Sequence, residues 1–357
     1  MEIVKELSDI AEKWTEPEYR ARPELSQSTL GTYEKTGFNG LDHLFDRKES
    51  DSLTYGSCVD AWLTGGEDEF NSLYYVANID LSDNGYTIVK QLAEMHLPYE
   101  SFNEIPEQTV SDVAKSTGFW KDDKWDKRRY SEVLKTGTVE EYYYVLRTVP
   151  DKTVISNETY LSMLDSVRAL KESPATCGCF ADNDPMSPVR RYYQLKFKMY
   201  HNGVGYRGMM DLVAVDYEKK IVYPFDLKTS SHFEWDFEQS FIQWGYCFQA
   251  KLYWRLLRYN MDKDDYFKDF KLMDYKFIVV NRKTLTPLIW EFPYTQHVGS
   301  LYTEDGKEIR DPYVVGEELQ AYLNCRPQVP NGINQFGINT IKCLKPKEDE
   351  QSKVSEL

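Results

Sequence analysis

Long apolar runs are missing: no stretch of the 357 residues approaches the ~20 apolar residues a membrane-spanning helix needs, so no such helix is expected. Cysteine is scarce, and six Cys in a chain of this length do not make a disulfide scaffold. With 19 Gly and 15 Pro, collagen-like and low-complexity material is excluded. The chain has no internal repeat, no P-loop, no glycine-rich dinucleotide fingerprint and no G-x-S-x-G elbow. Its five histidines, His43, His96, His201, His232 and His297, stand without metal-ligand spacing. Positive charge is also in deficit, 43 Lys and Arg against 58 Asp and Glu, for a net charge of −15. That balance argues against a non-specific nucleic-acid coat, which works by neutralising phosphates. It does not exclude an enzyme with a locally basic cleft.

What is present is apolar and aromatic, 41% and 15% of the residues, which excludes a mostly disordered chain. The length suits one large domain or two smaller ones, enough to bury a core. The opening MEIVKELSDIAEKW is acidic and amphipathic, unlike a secretory signal, so a cytoplasmic protein is expected.

Residues 3–14 suit a short amphipathic helix, and Ser26 or Ser28 suits the cap of the next one. Tyr55 to Leu63 reads as a buried helix closed by Gly65-Gly66, and residues 84–172 as charged helices. Within these, Lys121 to Arg129 reads as a solvated helix face or loop. From Arg190 the texture changes to strands over 192–200, 208–216 and 221–228, with Glu218-Lys219-Lys220 as a turn. Residues 234–260 read as one packed helix, 271–281 and 286–291 as further strands, and 311–324 as a last helix. The order, helices and then β-β-β-α-β, predicts an α/β (α+β) fold: a mixed sheet flanked by helices. It is read as one domain over 1–340, with a helical N-terminal part and insert over about 1–189. The core then spans about 190–300, and the tail over 345–357 is expected to be disordered.

Chemistry concentrates in Gly208-Met209-Met210-Asp211 and Asp226-Leu227-Lys228-Thr229. Alternate strand residues share a face, so Asp226 and Lys228 point one way, Phe225 and Leu227 the other. If the two strands pair across the short turn, Asp211 approaches Asp226, and two carboxylates converge with an ammonium. Hard oxygen ligands so placed suit Mg²⁺ or Mn²⁺, with Lys228 beside the metal to orient or help deprotonate a water. The plain alternative is an exposed Asp–Lys pair on an edge strand, which Pro224 would permit.

Gly208-x-x-Asp211, Asp226-x-Lys228 and then Gln249-x-x-x-Tyr253 resemble the PD-(D/E)XK nuclease superfamily, in particular its RecB-type and phage exodeoxyribonuclease VIII-like branch. Leu25-Ser26-x-Ser28-x-Leu30 and Gly56-Ser57-Cys58-Val59-Asp60 resemble that branch's N-terminal motifs. The chain departs from the family at Asp60, where a His is usual, at Gln194, where many relatives carry an acid, and in lacking a Pro before Asp211.

The resemblance implies a restriction-endonuclease-like fold and a Mg²⁺- or Mn²⁺-dependent DNA exonuclease of the phage recombination or replication kind. Asp211, Asp226, the Leu227 carbonyl and Asp60 would hold the metal, Lys228 would position the water, and Gln249 and Tyr253 would touch substrate or brace Lys228. Ring formation and a single-strand annealing partner are further expectations, as is a location in the host cytoplasm for a phage-encoded protein. Rivals are an endonuclease of this fold acting on branched or foreign DNA, and a catalytically silent interaction protein. Some relatives hold an iron–sulfur cluster; the spacing of Cys177, Cys179, Cys325 and Cys343 does not match it. Basic residues at Lys124-Lys127-Arg128-Arg129, Arg190-Arg191 and Lys196-Lys198 are candidate DNA contacts, with Arg255 and Arg258 assigned to the cleft rim. Trp235, Trp244, Tyr246 and Trp254 either stack on bases or pack the helix on the sheet.

Overall fold

The computed structural model describes residues 5–38, 41, 44–45 and 50–325; His43, Cys343 and the expected tail over 345–357 lie outside them. The chain, read from sequence as one domain over 1–340, clusters into two compact units. One holds the described parts of 1–22, 47–199 and 207–297, the other those of 23–46, 200–206 and 298–357.

The short strands β1 (Tyr74–Ala77) and β2 (Thr153–Ser156) form a parallel pair. The six-stranded sheet comprises β3 (Val189–His201), β4 (Val204–Asp216), β5 (Ile221–Ser230), β6 (Lys271–Leu272), β7 (Tyr275–Asn281) and β8 (Leu288–Phe292). Its order is β3-β4-β5-β7-β8, with β6 beside β5. β4 runs antiparallel to β5, β5 parallel to β7, and β7 antiparallel to β8, which makes the sheet mixed. β9 (Leu301–Tyr302) and β10 (Glu308–Ile309) pair antiparallel in the second unit. The fold is thus mixed α/β, a multi-strand mixed sheet with flanking helices.

β5 is interior, so the edge-strand alternative for its Asp–Lys pair fails. Pro224 fits there because the β6 pairing ends at Val222↔Leu272 and the β7 pairing begins at Phe225↔Lys276. It falls in the gap, where a missing N–H forfeits no bond to either strand. Glu218 to Lys220 form the expected turn, with Asp216 Oδ1 accepting the Lys219 N–H at 2.9 Å. Between β3 and β4, Asn202 (φ 48°) and Gly203 (φ 81°) supply the two left-handed positions of a type I′ hairpin turn.

The helix expected over 3–14 begins outside the described residues; within them Leu7–Ile10 form a single 3₁₀ turn, and α1 covers Glu16–Ala21. The reason is a capping box at Thr15 and Glu18 with Pro17 in the first turn, which starts the helix late. α2 (Gln27–Thr36) is capped by Ser26, whose Oγ accepts the Thr29 N–H at 3.2 Å. α3 (Asp51–Leu73) runs past the expected stop after a break at Gly66 (φ 68°). α4 (Asp83–Glu94), α5 (Glu107–Ser116), α6 (Arg129–Leu134) and α7 (Val139–Thr148) bury Ile88, Leu92, Val110, Val133 and Tyr143 in a cluster of their own. Arg129, in the stretch read as solvated, is 2% exposed and bonds the Trp120 and Asp122 carbonyls and Asp126.

α8 (Asn157–Glu172) joins α3 on one face of the sheet, with Val59, Met163 and Leu170 against Leu212, Phe225 and Ile278. The helix expected over 234–260 is two: α9 (Phe237–Trp244) and α10 (Tyr246–Asp262), parted by Gly245 in the left-handed conformation (φ 68°, ψ 39°). A lone glycine there lets the chain turn, and α10 takes its own direction onto the sheet. In the second unit α11 (Pro312–Cys325) is tied to α2 by Tyr33, which donates to Glu318 at 2.8 Å, and by Arg310, which bonds Glu34 and Glu318. Among the described residues no helix is long and apolar enough to cross a membrane.

Candidate active site

The ladder between β4 and β5 reaches Leu212↔Phe225, and at the next step Asp211 Oδ2 accepts the Leu227 N–H at 3.0 Å. A carboxylate thus takes a backbone donor of β5. Phe225 and Leu227 face the α3–α8 core. Asp226 and Lys228 face α10, as strand alternation requires. Asp226 is fully buried; its Oδ1 accepts from Gln249 Nε2 on α10, and its Oδ2 lies 2.6 Å from Lys228 Nζ. Among the described residues Lys228 is the group that meets Oδ2, and no further donor reaches it. Lys228 Nζ also sits 4.7 Å from the centre of the Tyr246 ring.

Two glycines permit these approaches. A Cβ on Gly208 would fall 2.7 Å from both the Tyr253 ring and Leu256, so only Gly lets α10 lie this close to β4. A Cβ on Gly56 would lie 3.2 Å from Thr229 Oγ1, so α3 runs tight against the end of β5. One turn later α3 delivers Asp60, which lines a small cavity with Asp211, Leu227, Thr64 and Tyr193. Asp60 is no helix cap, since that role belongs to Ser50.

The electrostatics follow from three acids and one ammonium in little water. Burial, then the Asp226 charge, push Asp60 up to about 7, with Lys228 opposing. Burial lifts Asp211 well above the carboxylate range; Asp226 and Asp60 add to this, while Lys228 and the Leu227 N–H oppose it. Burial pulls Lys228 down, but Asp226, Tyr246 and Asp211 more than reverse that, so its ammonium is firmly protonated. Tyr253 is raised by burial and by Tyr19, Asp226 and Asp211. Tyr275 on β7, which sequence reading missed, is raised by burial and the same two acids, and its buried hydroxyl lacks a hydrogen-bond partner. Nothing in a strand's alternation marks such a tyrosine.

The structure therefore brings together Asp60, Asp211, Asp226, Leu227, Lys228, Gln249 and Tyr253. It does not bring Arg255 and Arg258 to the rim. Arg255 is 7% exposed and donates to the His297 carbonyl, and Arg258 bonds the Phe270 and Lys268 carbonyls and pairs with Asp262. Both cations hold the fold, which corrects their assignment to DNA. Trp254 donates to the Met273 carbonyl and Tyr246 packs on Phe237 and Phe277, whereas Trp235 and Trp244 are exposed. Gln194 adopts a left-handed φ of 54° within β3, and the cavity is lined by its neighbour Tyr193.

Among the described residues no three His, Cys, Asp or Glu side chains already stand as a metal cage. The donor chemistry nevertheless fits a hard divalent cation. Repelling carboxylates gain from a shared positive charge, and Asp226 Oδ2, which among the described residues meets Lys228 alone, keeps a lone pair for a cation.

Beside the site, Glu234 is buried between β5 and α9. Its Oε1 accepts the Asn281 and Thr286 N–H groups, both at 3.0 Å, and its Oε2 the Thr284 hydroxyl at 2.6 Å. Burial raises its pKa, but these donors carry it below the ordinary value. The stabilisation is thus full above the unfolded pKa and is lost as pH falls through the folded one. Glu234→Ala, leaving those donors unpaired, should cost about 2–4 kcal/mol, read as a lower denaturant midpoint. A midpoint within error of wild type would refute the clamp.

No family model matches the chain, and no curated protein matches it. Among solved structures it is similar to a protein from Eubacterium rectale named "Putative exonuclease", at TM-score 0.40 and 13% identity. The match covers 87% of this chain and 82% of that one.

Proposed function

We propose that the protein is a Mg²⁺- or Mn²⁺-dependent nuclease that hydrolyses phosphodiester bonds in DNA, acting as an exonuclease. The observation that carries this reading is the buried Asp226 with one oxygen held by Gln249 and the other paired with Lys228, one strand from Asp211. Asp211, Asp226, Asp60 and the Leu227 carbonyl would hold the ion, which when bound supplies positive charge against the phosphate oxygens. The chain's own groups do the rest. Gln249 locks the Asp226 rotamer, and the Tyr246 ring face holds the Lys228 ammonium in place. Being firmly protonated, Lys228 acts as a donor that orients water and answers developing negative charge, not as a base. Tyr253 fixes α10 against β4 and thereby the position of Gln249.

End-labelled linear DNA compared with a closed circle, each with Mg²⁺, tests the reading. Loss of linear DNA alone is expected; cutting of the circle would make the protein an endonuclease. A catalytically silent protein of this fold is the second reading, favoured by Gln194 and by the absence of a ready three-acid cage among the described residues. Calorimetric titration with Mn²⁺ separates the two, since a silent fold gives no binding heat.

Asp60 gives a sharper test. Its raised pKa means that the folded apo protein loses stability as pH rises from the ordinary carboxylate value through about 7. Asp60→Ala should therefore raise the apo melting temperature at pH 8 by about 2–4 °C, and weaken Mn²⁺ binding about tenfold. A lower melting temperature with an unchanged metal titration would remove Asp60 from the site.

A further inference from the structure

We propose that Phe233, Trp235, Arg282 and Lys283 form a seat for an unpaired DNA strand beside the catalytic groups; this rests on the nuclease reading above. Phe233 and Trp235 are 50% and 59% exposed, and their rings are stacked, with centroids 4.5 Å apart and planes 8° apart. Large aromatic rings left in water are costly, and two held parallel present a flat π-face to a third ring.

The pair is rigidly mounted. Glu234, between the two residues, turns inward and accepts from Asn281, Thr284 and Thr286, while the Trp290 indole donates to the Glu234 carbonyl at 2.9 Å. The Asn281 side chain donates to the His232 carbonyl at 2.9 Å. The same bonds fasten the β7–β8 turn, whose Arg282 and Lys283 are exposed. Neither makes an ion pair among the described residues, and Arg282 lies over the Tyr55 ring of α3 at 5.4 Å. Two cations thus sit on a turn bonded to an aromatic shelf. That pairing matches a single strand, whose bases stack and whose phosphates need charge. At about 3.3 Å per strand residue, Asp226 and the end of β5 at Ser230 are roughly 13 Å apart, a span of a few nucleotides. An acidic peptide would use the cations but not the shelf, and a duplex would hide its base faces.

Fluorescence anisotropy of labelled oligothymidylate, oligouridylate and a blunt DNA hairpin, in EDTA so that no strand is cut, tests the seat. Trp235→Ala and Phe233→Ala should each weaken oligothymidylate binding about tenfold, with hairpin binding changed less than about twofold. Trp235→Phe should restore most of the loss, and Arg282→Glu with Lys283→Glu should flatten the salt dependence. Melting temperatures should stay at the wild-type value, since all four side chains are exposed. Unchanged affinity in Trp235→Ala, no binding of oligothymidylate by wild type, or tighter binding of oligouridylate each overturns the proposal. Mg²⁺-dependent cleavage of linear duplex, measured on the same proteins, judges the nuclease reading separately. Cleavage without oligothymidylate binding sinks the seat alone, and binding lost on Trp235→Ala without any cleavage keeps the seat and sinks the nuclease.

Discussion

Asp226→Asn should reduce turnover on linear DNA by at least about 10³-fold, because losing a hard anionic ligand removes several kcal/mol of charge stabilisation. The change is nearly isosteric. Asn retains an oxygen for Gln249 Nε2, so the α10–β5 contact survives. It removes one of three mutually repelling acids but also the charge partner of the buried Lys228, so the apo melting temperature should fall, and rates are compared where both proteins are folded. Asp211→Asn should act in the same direction, while keeping an acceptor for the Leu227 N–H. Single-turnover cleavage with saturating Mg²⁺ is the measurement. Near-wild-type rates in either variant would remove that residue from the metal set.

Lys228→Ala should lower kcat about 10²–10³-fold while the dissociation constant for DNA moves little. The ammonium is aimed at Asp226 and braced by Tyr246, inside the cluster and not along a phosphate track. Removing it also takes away the cation that, among the described residues, opposes the raised pKa values of Asp60 and Asp211. The variant's activity should therefore need higher pH or more Mg²⁺ to recover, a shift that a phosphate-binding lysine would not produce. Weakened DNA binding with intact kcat would place Lys228 on the substrate backbone instead.

The strands that carry Asp211, Asp226 and Lys228 were legible because period-2 alternation is local: the D-x-K triplet, its apolar neighbours and the Glu218–Lys220 turn lie within a few residues of each other. A cap at Ser26 or Ser28 was legible for the same reason, and the structure puts it at Ser26. Asn202-Gly203 is an equally local hairpin signal, two residues that both take positive φ. Other features depend on partners distant in sequence. Arg255 follows Gln249 and Tyr253 on one helix, so a cleft position was the natural inference, yet its fate is decided by the carbonyl of His297. Gly245 sits alone in a long aromatic run, where a single glycine is weak warning of a break. β1 and β2 are four residues each and pair across a whole helical cluster, too short for alternation to register.

That parallel pair has a consequence for how the chain can change over time. β1 leaves at Ala77 and β2 returns at Thr153, opposite Tyr74, so the exit and re-entry points are about 10 Å apart at a strand rise of ~3.3 Å. Everything between them, α4 to α7, closes on its own apolar cluster. Loop-closure entropy grows only slowly with length, so a short bridge and a long excursion cost the sheet nearly the same. The helical excursion is thus detachable in principle: it can be exchanged, enlarged or trimmed to a linker without re-threading a single strand that carries the acids.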